Sequence, residues 1–197
     1  MVTRIAYFLS ISLLVGALTG CGTSAPARFY SLDSTAIADG TPATSVTVMV
    51  GPVVIPAAVD QPEFVVNTAP NRVEVDEFNR WVSPLNDAIA RAVAGDLVVL
   101  LGTPNVATAQ LANFNPEYQV TIDVLQFESV PGQAATVAAV WTVRKTADGV
   151  TRSGRTSSRE SVQGPGFDAL AAAHSRAIAK VSADIATAIR AEAEQKS

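Results

Sequence analysis

Residues 80–104, RWVSPLNDAIARAVAGDLVVLLGTP, decide the fold class, because the spacing of apolar residues changes here from that of a strand to that of a helix. Apolar residues recur at intervals of four, four, four and three, which places them on one face of an α-helix. They are Leu85, Ile89, Val93, Leu97 and Leu100. The stretch therefore predicts a helix with one buried face.

The ends of this helix carry their own signals. Ser83 is suited to the N-cap, and Pro84 to the first helical position, where its missing N–H costs no hydrogen bond. Gly102, followed closely by Pro104, predicts the C-terminal end. Gly95 is the one interior residue with a low helix propensity.

Segments typical of β-strands lie on both sides of this helix. They are residues 28–32, 45–56, 62–68 and 71–78 before it, and 118–129, 134–145 and 151–162 after it. The last of them, TRSGRTSSRESV, is polar and follows a predicted turn at Asp148-Gly149, so we expect it to be an edge strand.

Residues 167–196 predict a second, longer helix with a buried apolar stripe. The stripe consists of Leu170, Ala177, Ile178, Val181, Ile185 and Ile189. Strands, helix, strands and helix in this order predict an α+β fold, with a single mixed or antiparallel sheet covered by two main helices.

The N-terminal residues resemble the signal of a bacterial lipoprotein. Arg4 precedes an apolar run from Ile5 to Leu18, which as a helix reaches only about 21 Å against a hydrocarbon layer of about 30 Å. The run ends in Leu-Thr-Gly before Cys21, the only cysteine of the chain. We therefore expect residues 1–20 to be a cleaved signal and Cys21 to carry the lipid. The alternative is a plain secretory signal followed by a free surface thiol.

This interpretation divides the chain into a signal at 1–20, a lipidated tether at 21–27 and a single domain at 28–197. Two or three acyl chains would attach the mature protein permanently to a membrane. Gly22 stands where an aspartate would favour retention in the inner membrane, so we expect the periplasmic face of the outer membrane.

The charge of the chain argues against nucleic acid as a partner. The full sequence has 14 Lys and Arg against 18 Asp and Glu. Cleavage after residue 20 removes Arg4 and no acid, so the mature chain has a net charge of about −5. Proteins that bind nucleic acid show a basic footprint instead.

The sequence offers few groups for catalysis or for metal binding. His174 is the only histidine, and we expect it at the surface or at the edge of the core. A nucleophile–histidine–acid triad would have to use it, and no nucleophile-elbow motif is present. One histidine and no free cysteine leave too few ligands for zinc. We therefore expect no enzyme activity, no metal and no cofactor.

Two groups of residues are candidates for binding a partner. Trp81, with Arg80 before it, could anchor an interface or fill the junction between sheet and helix. Asp60 and Pro62 lie in a turn-like segment, where they serve either binding or the turn itself.

The second candidate is a basic hairpin. Its five cations fall within sixteen residues of a chain that is acidic overall: Arg144, Lys145, Arg152, Arg155 and Arg159. They could face anionic headgroups or an acidic rim on a partner protein. The alternative is that they protect an exposed edge strand from aggregation.

One block is more specific than its composition, namely residues 50–85, VGPVVIPAAVDQPEFVVNTAPNRVEVDEFNRWVSPL. Its order of Gly-Pro-Val-x-Ile-Pro, Val-Asp-x-Pro and Glu-x-x-Arg-Trp-x-x-Pro-Leu resembles the ABC-type transport auxiliary lipoproteins, a PqiC-like family that serves MCE-domain transport systems. The matching residues are Gly51, Pro52, Val53, Ile55, Pro56, Val59, Asp60, Pro62, Glu77, Arg80, Trp81, Pro84 and Leu85, with Phe29, Tyr30 and Leu32 in the opening strand. Other members often carry an arginine where this chain has Gln61, and another basic residue near the position of Asn67.

The resemblance implies a non-catalytic lipoprotein at the outer membrane and a fold similar to the N-terminal domain of TolB. Its partner would be the MCE-domain protein of the same system, a hydrophobic conduit for lipid, and several copies of the lipoprotein could surround the conduit. Two alternatives stay open: a lipid or small-ligand carrier with its own cavity, and a structural envelope lipoprotein that binds partners linked to peptidoglycan.

Overall fold

The computed structural model describes residues 25–110 and 112–194. The predicted signal, Cys21 and most of the predicted tether lie outside the described residues. The described chain forms the strands β1 Arg28–Tyr30, β2 Val48–Val54, β3 Glu63–Ala69, β4 Arg72–Trp81, β5 Val106–Ala107, β6 Tyr118–Val130, β7 Ala134–Lys145 and β8 Thr151–Ser161, the helices α1 Leu85–Leu101 and α2 Gly166–Glu194, and a 3-10 turn at Ala57–Val59. The predicted α+β class is confirmed.

The strands form two sheets, whereas the sequence predicted one. A five-stranded sheet has the order β5-β2-β6-β7-β8, and a three-stranded sheet has the order β1-β4-β3. The division arises because β2 pairs with β6 only as far as Asp123 and then enters the 3-10 turn. The second half of β6 contacts β3 instead, through a side chain. The backbone amide of Ser129 donates a hydrogen bond to Asn67 Oδ1 at 3.2 Å.

Both helices pack against one face of the five-stranded sheet. The strand residues on this face lie at alternate positions and are buried, as the sequence predicted; they include Tyr118, Val120, Ile122 and Val124 of β6 and Val137, Ala139, Trp141 and Val143 of β7. All six residues of the predicted stripe on α2 are buried. β8 forms the edge of the sheet, as predicted. The core is therefore a helix layer on a sheet, and within residues 25–110 and 112–194 no helix packs on the other face of the sheet.

The start of α1 differs from the prediction. Ser83 makes no capping hydrogen bond; Pro84 occupies the N-cap with an extended backbone, and the Ser83 hydroxyl accepts a hydrogen bond from Arg91 instead. The next turn of the helix is as predicted, with Leu85 and Ile89 buried. At the other end Gly102 has φ 64°, a left-handed conformation that a glycine adopts without strain.

A segment between β1 and β2 crosses the outside of the two helices. Asp96 of α1, which is fully buried, holds this segment: its Oδ1 accepts hydrogen bonds from Ser34 Oγ and from the amides of Thr35 and Ala36, all at 2.9 Å. Its Oδ2 accepts one from Ser182 of α2 at 2.8 Å. One carboxylate thus joins both helices to residues 34–36, which we call the strap.

Among residues 25–110 and 112–194, neither helix combines the length and the apolar character needed to cross a membrane.

Candidate functional site

Trp81 is part of the core. Its ring stacks on Phe64 at a centroid distance of 4.0 Å and meets the edge of Phe127 at 6.0 Å. Only 5% of its surface is exposed. Of the two roles that the sequence left open, the structure supports the filling of the junction between the small sheet and the helix layer.

Asp60, Pro62 and Trp81, which the sequence offered as separate candidates, lie close together in the structure. The Trp81 amide donates to the Pro62 carbonyl at 2.7 Å, which fixes the turn against the end of β4. With Val82 and Pro84 these residues line a surface depression of about 320 Å³. Asp60 is exposed at its rim. The walls of this depression are mainly apolar. Trp81 at its base is held in place by the rings of Phe64 and Phe127.

Arg80 lies outside this depression. Its side chain forms an ion pair with Glu63 on the neighbouring strand at 3.0 Å, and its Nε donates to the Glu77 carbonyl. Arg80 therefore stabilises the β3–β4 pairing, and its charge is largely balanced within the small sheet.

The basic hairpin is split by the alternation of β8. Arg152 points to the helix side and forms an ion pair with Glu192 of α2 at 2.6 Å. Arg155 and Arg159 lie on the open face of the sheet, where Arg159 also donates to Thr136 at 3.4 Å. On β7, Arg144 is exposed and the neighbouring Lys145 pairs with Asp148. Three of the five cations, Arg144, Arg155 and Arg159, make no ion pair with the described residues.

The two candidate groups lie on different sheets. The depression at Trp81 belongs to the three-stranded sheet, and the free cations belong to the far edge of the five-stranded sheet. They cannot form one compact site, so they are separate surfaces of the molecule.

His174 is completely buried, and the expectation of a surface or core-edge position is wrong. Its ring stacks on Phe127 at 3.9 Å, nearly parallel, and its Nε2 shares a hydrogen bond of 2.8 Å with Ser129 Oγ. Helix periodicity alone missed this position, because the first half of α2 is covered by the small sheet as well as by the large one. Burial lowers the pKa of His174 to about 3.

Ser129 and His174 form a hydroxyl–imidazole pair that is out of reach of a solvent-borne substrate. Ser129 is 1% exposed and His174 is not exposed at all. His174 Nδ1 has no hydrogen-bond partner in the described part of the chain, so no acid orients the ring as in a catalytic triad. The pair is an internal polar link between β6 and α2.

Sequence reasoning missed Asp96 and the apolar residues exposed on the small sheet. Asp96 is a charged residue within a helical apolar pattern, next to Gly95, and this combination was the available signal. The exposed residues include Phe29 at 62% and Phe78 at 44%. They were indistinguishable from core residues because their strands alternate as core strands do.

A family model for the "ABC-type transport auxiliary lipoprotein component" matches residues 30–186. The chain belongs to this family. No curated protein matches the sequence of this transport auxiliary lipoprotein closely. The match includes the depression at Trp81, the basic hairpin and the strap.

Solved structures share the fold of this transport auxiliary lipoprotein. A Xanthomonas campestris protein of the family model DUF330 is 21% identical, with a TM-score of 0.68 over 86% of this chain and 100% of that one. A second structure, of an uncharacterized protein, is 20% identical, with a TM-score of 0.68 over 84% of this chain and 99% of that one. The PelC dodecamer from Paraburkholderia phytofirmans is 15% identical over 72% of this chain and 91% of that one, with a TM-score of 0.44.

Proposed function

We propose that this transport auxiliary lipoprotein docks a periplasm-spanning MCE-domain conduit to the outer membrane and thereby supports lipid transport and membrane integrity. The proposal rests on one observation: the predicted membrane attachment and the basic surface lie at edges of two different sheets. The chain that leads from the predicted anchor at Cys21 enters at β1, the edge of the small sheet, and the hairpin arginines without an ion pair to the described residues lie on β7 and β8, at the far edge of the large one. A protein with an attachment at one edge and a charged surface at another is suited to join two partners.

The free cations define the surface that would bind the conduit. Arg144, Arg155 and Arg159 stand on a chain of negative net charge, and they lie on the open face of the sheet, where no helix covers them. Arginine on a flat strand surface can form bidentate hydrogen bonds with carboxylates. The proposed partner surface is therefore an acidic rim of the MCE-domain protein.

The proposed role requires no chemistry from the lipoprotein itself. The hydroxyl–imidazole pair is enclosed, and burial keeps His174 neutral at any physiological pH. This favours a binding role over a catalytic one.

The main alternative, a carrier with its own lipid cavity, has less support. The helix–sheet interface is closely filled: a Cβ atom at Gly154 would lie 2.2 Å from the ring of Trp141. The depressions at Trp81 and at the β3–β4 turn, about 320 and 400 Å³, open to solvent and do not extend between the layers. An enclosed apolar site for acyl chains would need that interlayer volume.

Charge reversal on β8 tests the proposed docking surface. We expect Arg155→Glu with Arg159→Glu to weaken binding of the acylated protein to its MCE-domain partner by about tenfold or more, because like charges then face each other. Binding is measured by biolayer interferometry on captured lipoprotein. Arg152 is left intact, since its ion pair with Glu192 belongs to the fold.

The matched control is Arg91→Glu with Lys180→Glu, which changes the net charge equally on the exposed sides of the helices. Equal weakening by both pairs of substitutions would show a general charge effect and contradict the docking surface. Stoichiometric phospholipid bound to the purified protein without its partner, detected by mass spectrometry, would favour the carrier.

A further inference from the structure

The outer face of the three-stranded sheet exposes apolar side chains close to the point where the tether enters the domain. The exposed residues are Phe29 at 62%, Val73 at 55%, Val75 at 48%, Phe78 at 44% and Val82 at 62%. We call them the apolar face. Exposed apolar residues grouped on one side of a small sheet mark an interaction surface.

The strand register places Phe29, Val73 and Val75 on one side of the sheet, while Phe78 lies in the bulge of β4 and Val82 follows the end of β4. Tyr30 pairs with Trp81, and both are buried under α2, so Phe29 and its partner Arg80 point outward. On β3, Phe64 is fully buried on the core side, so Glu63 and Val65 lie on the opposite side, where Val65 is itself only 8% exposed. Val65 pairs with Val75, which extends the outward side along β4. Phe29 and Val75 thus share one surface.

The charges near this surface leave its centre apolar. Arg80 and Glu63 neutralise each other at 3.0 Å. The Asp76 carboxylate accepts hydrogen bonds from the amides of Phe78 and Asn79 and from the Asn79 side chain, so it is turned into the bulge of β4. Arg28 and Arg72 lie at the two ends of the sheet and Glu77 lies beside Phe78, all of them exposed. Long arginine side chains at such a border can reach past apolar contacts to lipid phosphates.

The length of the predicted tether puts this surface next to the membrane. Arg28 is the seventh residue after Cys21, and this length of chain spans at most about 25 Å when fully extended. Phe29 follows Arg28 directly, at the outer edge of the small sheet. An acylated Cys21 therefore holds the apolar face within a short distance of the bilayer, whereas the free cations of β8 belong to the other sheet.

We propose that the apolar face is a second membrane contact, in which Phe29, Val75 and Phe78 insert into the interfacial region of the phospholipid leaflet that carries the anchor. The proposal rests on the lipid anchoring in the proposed function and adds the orientation of the domain. A lipid anchor at the N-terminus does not by itself fix which side of the domain faces the membrane. A second contact, with the aromatic rings about 5–10 Å below the headgroup surface, fixes which side faces the lipid.

A fluorophore at single added cysteines tests this contact. Because an acylated Cys21 has no free thiol, a second cysteine is the only labelling site. The full chain is produced with its signal, purified in acylated form, labelled with the environment-sensitive dye NBD at Phe29→Cys, Val75→Cys or Phe78→Cys, and reconstituted in vesicles of phosphatidylethanolamine and phosphatidylglycerol. Val98→Cys, exposed on α1, is the matched control. Circular dichroism of each labelled variant checks the fold.

We expect blue-shifted NBD emission at positions 29, 75 and 78, reduced about twofold or more by lipids with a spin label near the top of the acyl chain, since that is the depth of an interfacial contact. NBD attached at position 98 should show the emission of a dye in water. Water-like emission at all three test positions, on acylated protein that sediments with the vesicles, would overturn the membrane contact. So would a blue shift that the lipid quencher does not affect and that grows with protein density, because it indicates a second copy on this face.

Mass spectrometry of the mature N-terminus separates this inference from the proposed function. A chain without acyl groups contradicts the anchoring and the membrane contact together. An acylated chain with lipid-quenched labels that does not bind the MCE-domain protein supports the membrane contact and contradicts the docking role.

Discussion

At the scale of single residues, Gly154 on β8 shows how closely the sheet is packed against α2. Trp141 of β7 lies across the glycine, and its Nε1 donates to Thr156 at 3.0 Å. A Cβ atom at position 154 would come within 2.2 Å of the indole ring. The ring is only 7% exposed and belongs to the core, so it has little room to yield.

We therefore expect Gly154→Ala to lower the free energy of unfolding by about 1–3 kcal/mol, the usual cost of overpacking a closed core. Chemical denaturation with urea measures it. The control is Ser153→Ala on the exposed side of the same strand, for which we expect a change within about 0.5 kcal/mol. Equal stability of Gly154→Ala and wild type would show that Trp141 can move.

His174 couples the stability of the protein to pH. The folded chain binds a proton at this imidazole only near pH 3, because the ring is enclosed by Phe127, Trp81 and Ser129. The unfolded chain binds it near the ordinary value of 6.5. Between these two values the unfolded state takes up one proton more, so acidification favours unfolding.

From His174 alone we expect the free energy of unfolding to fall by up to about 1.4 kcal/mol per pH unit between pH 6.5 and pH 3. Carboxylates add their own pH dependence, so the measured quantity is the difference in slope between wild type and His174→Gln. The glutamine can still bond to Ser129 and does not titrate. Parallel slopes in urea titrations at several pH values would contradict a neutral, buried imidazole.

At the scale of elements, the strap depends on two adjacent residues of α1. Gly95 leaves space for it, since a Cβ atom there would lie 2.8 Å from the Cβ of Ser34. Asp96 then accepts the two amide hydrogen bonds and the two serine hydrogen bonds described above. Gly95 thus has a low helix propensity, but the strap requires a glycine at this position because it leaves no room for a side chain.

Asp96→Ala should lower the free energy of unfolding by about 3 kcal/mol or more, because buried amides and hydroxyls lose a charged acceptor. Hydrogen exchange should show faster exchange at the amides of Thr35 and Ala36, while the amides of β6 and β7 change only with global stability. Asp87→Ala, on the exposed first turn of α1, is the control, with an expected loss below about 1 kcal/mol. Unchanged exchange at Thr35 would show that other contacts hold the strap.

At the scale of the whole molecule, charge is distributed unevenly between the two sheets. The basic hairpin places three arginines without an ion pair to the described residues on the β7–β8 edge, and on the small sheet Arg80 and Glu63 neutralise each other beside the apolar face. In the proposed assembly the small sheet faces the lipid and the basic edge faces the conduit protein.

Association with the MCE-domain partner should therefore depend on ionic strength. Raising the salt from about 0.05 M to about 0.5 M should slow association about tenfold, since exposed charges are screened within about 10 Å at 0.1 M and less at higher salt. Stopped-flow mixing measures the rate. The Arg155→Glu, Arg159→Glu variant should have lost most of this dependence; the same salt dependence in that variant would place the electrostatic contact elsewhere.

Local patterns were enough to predict the α+β class, the bounds of both helices within a few residues and the edge position of β8. Each depends on the period of apolar residues along one segment, which is a local property. The pattern at 80–104 predicted the buried face of α1 correctly, and the alternation in β6 and β7 predicted theirs. The lipidation of Cys21 stays a prediction from the signal-like N-terminus.

Only the tertiary structure decided the division into two sheets, the burial of His174, the hydrogen bonding of the strap to Asp96 and the ion pair between Arg152 and Glu192. Each of these depends on contacts between segments that are tens of residues apart in the sequence. A strand pattern states which side chains share a face, but it contains no information on which face is covered. The same alternation therefore describes Val120 in the core and Val75 on the open surface, and the packing of α2 on one side of the sheets distinguishes them.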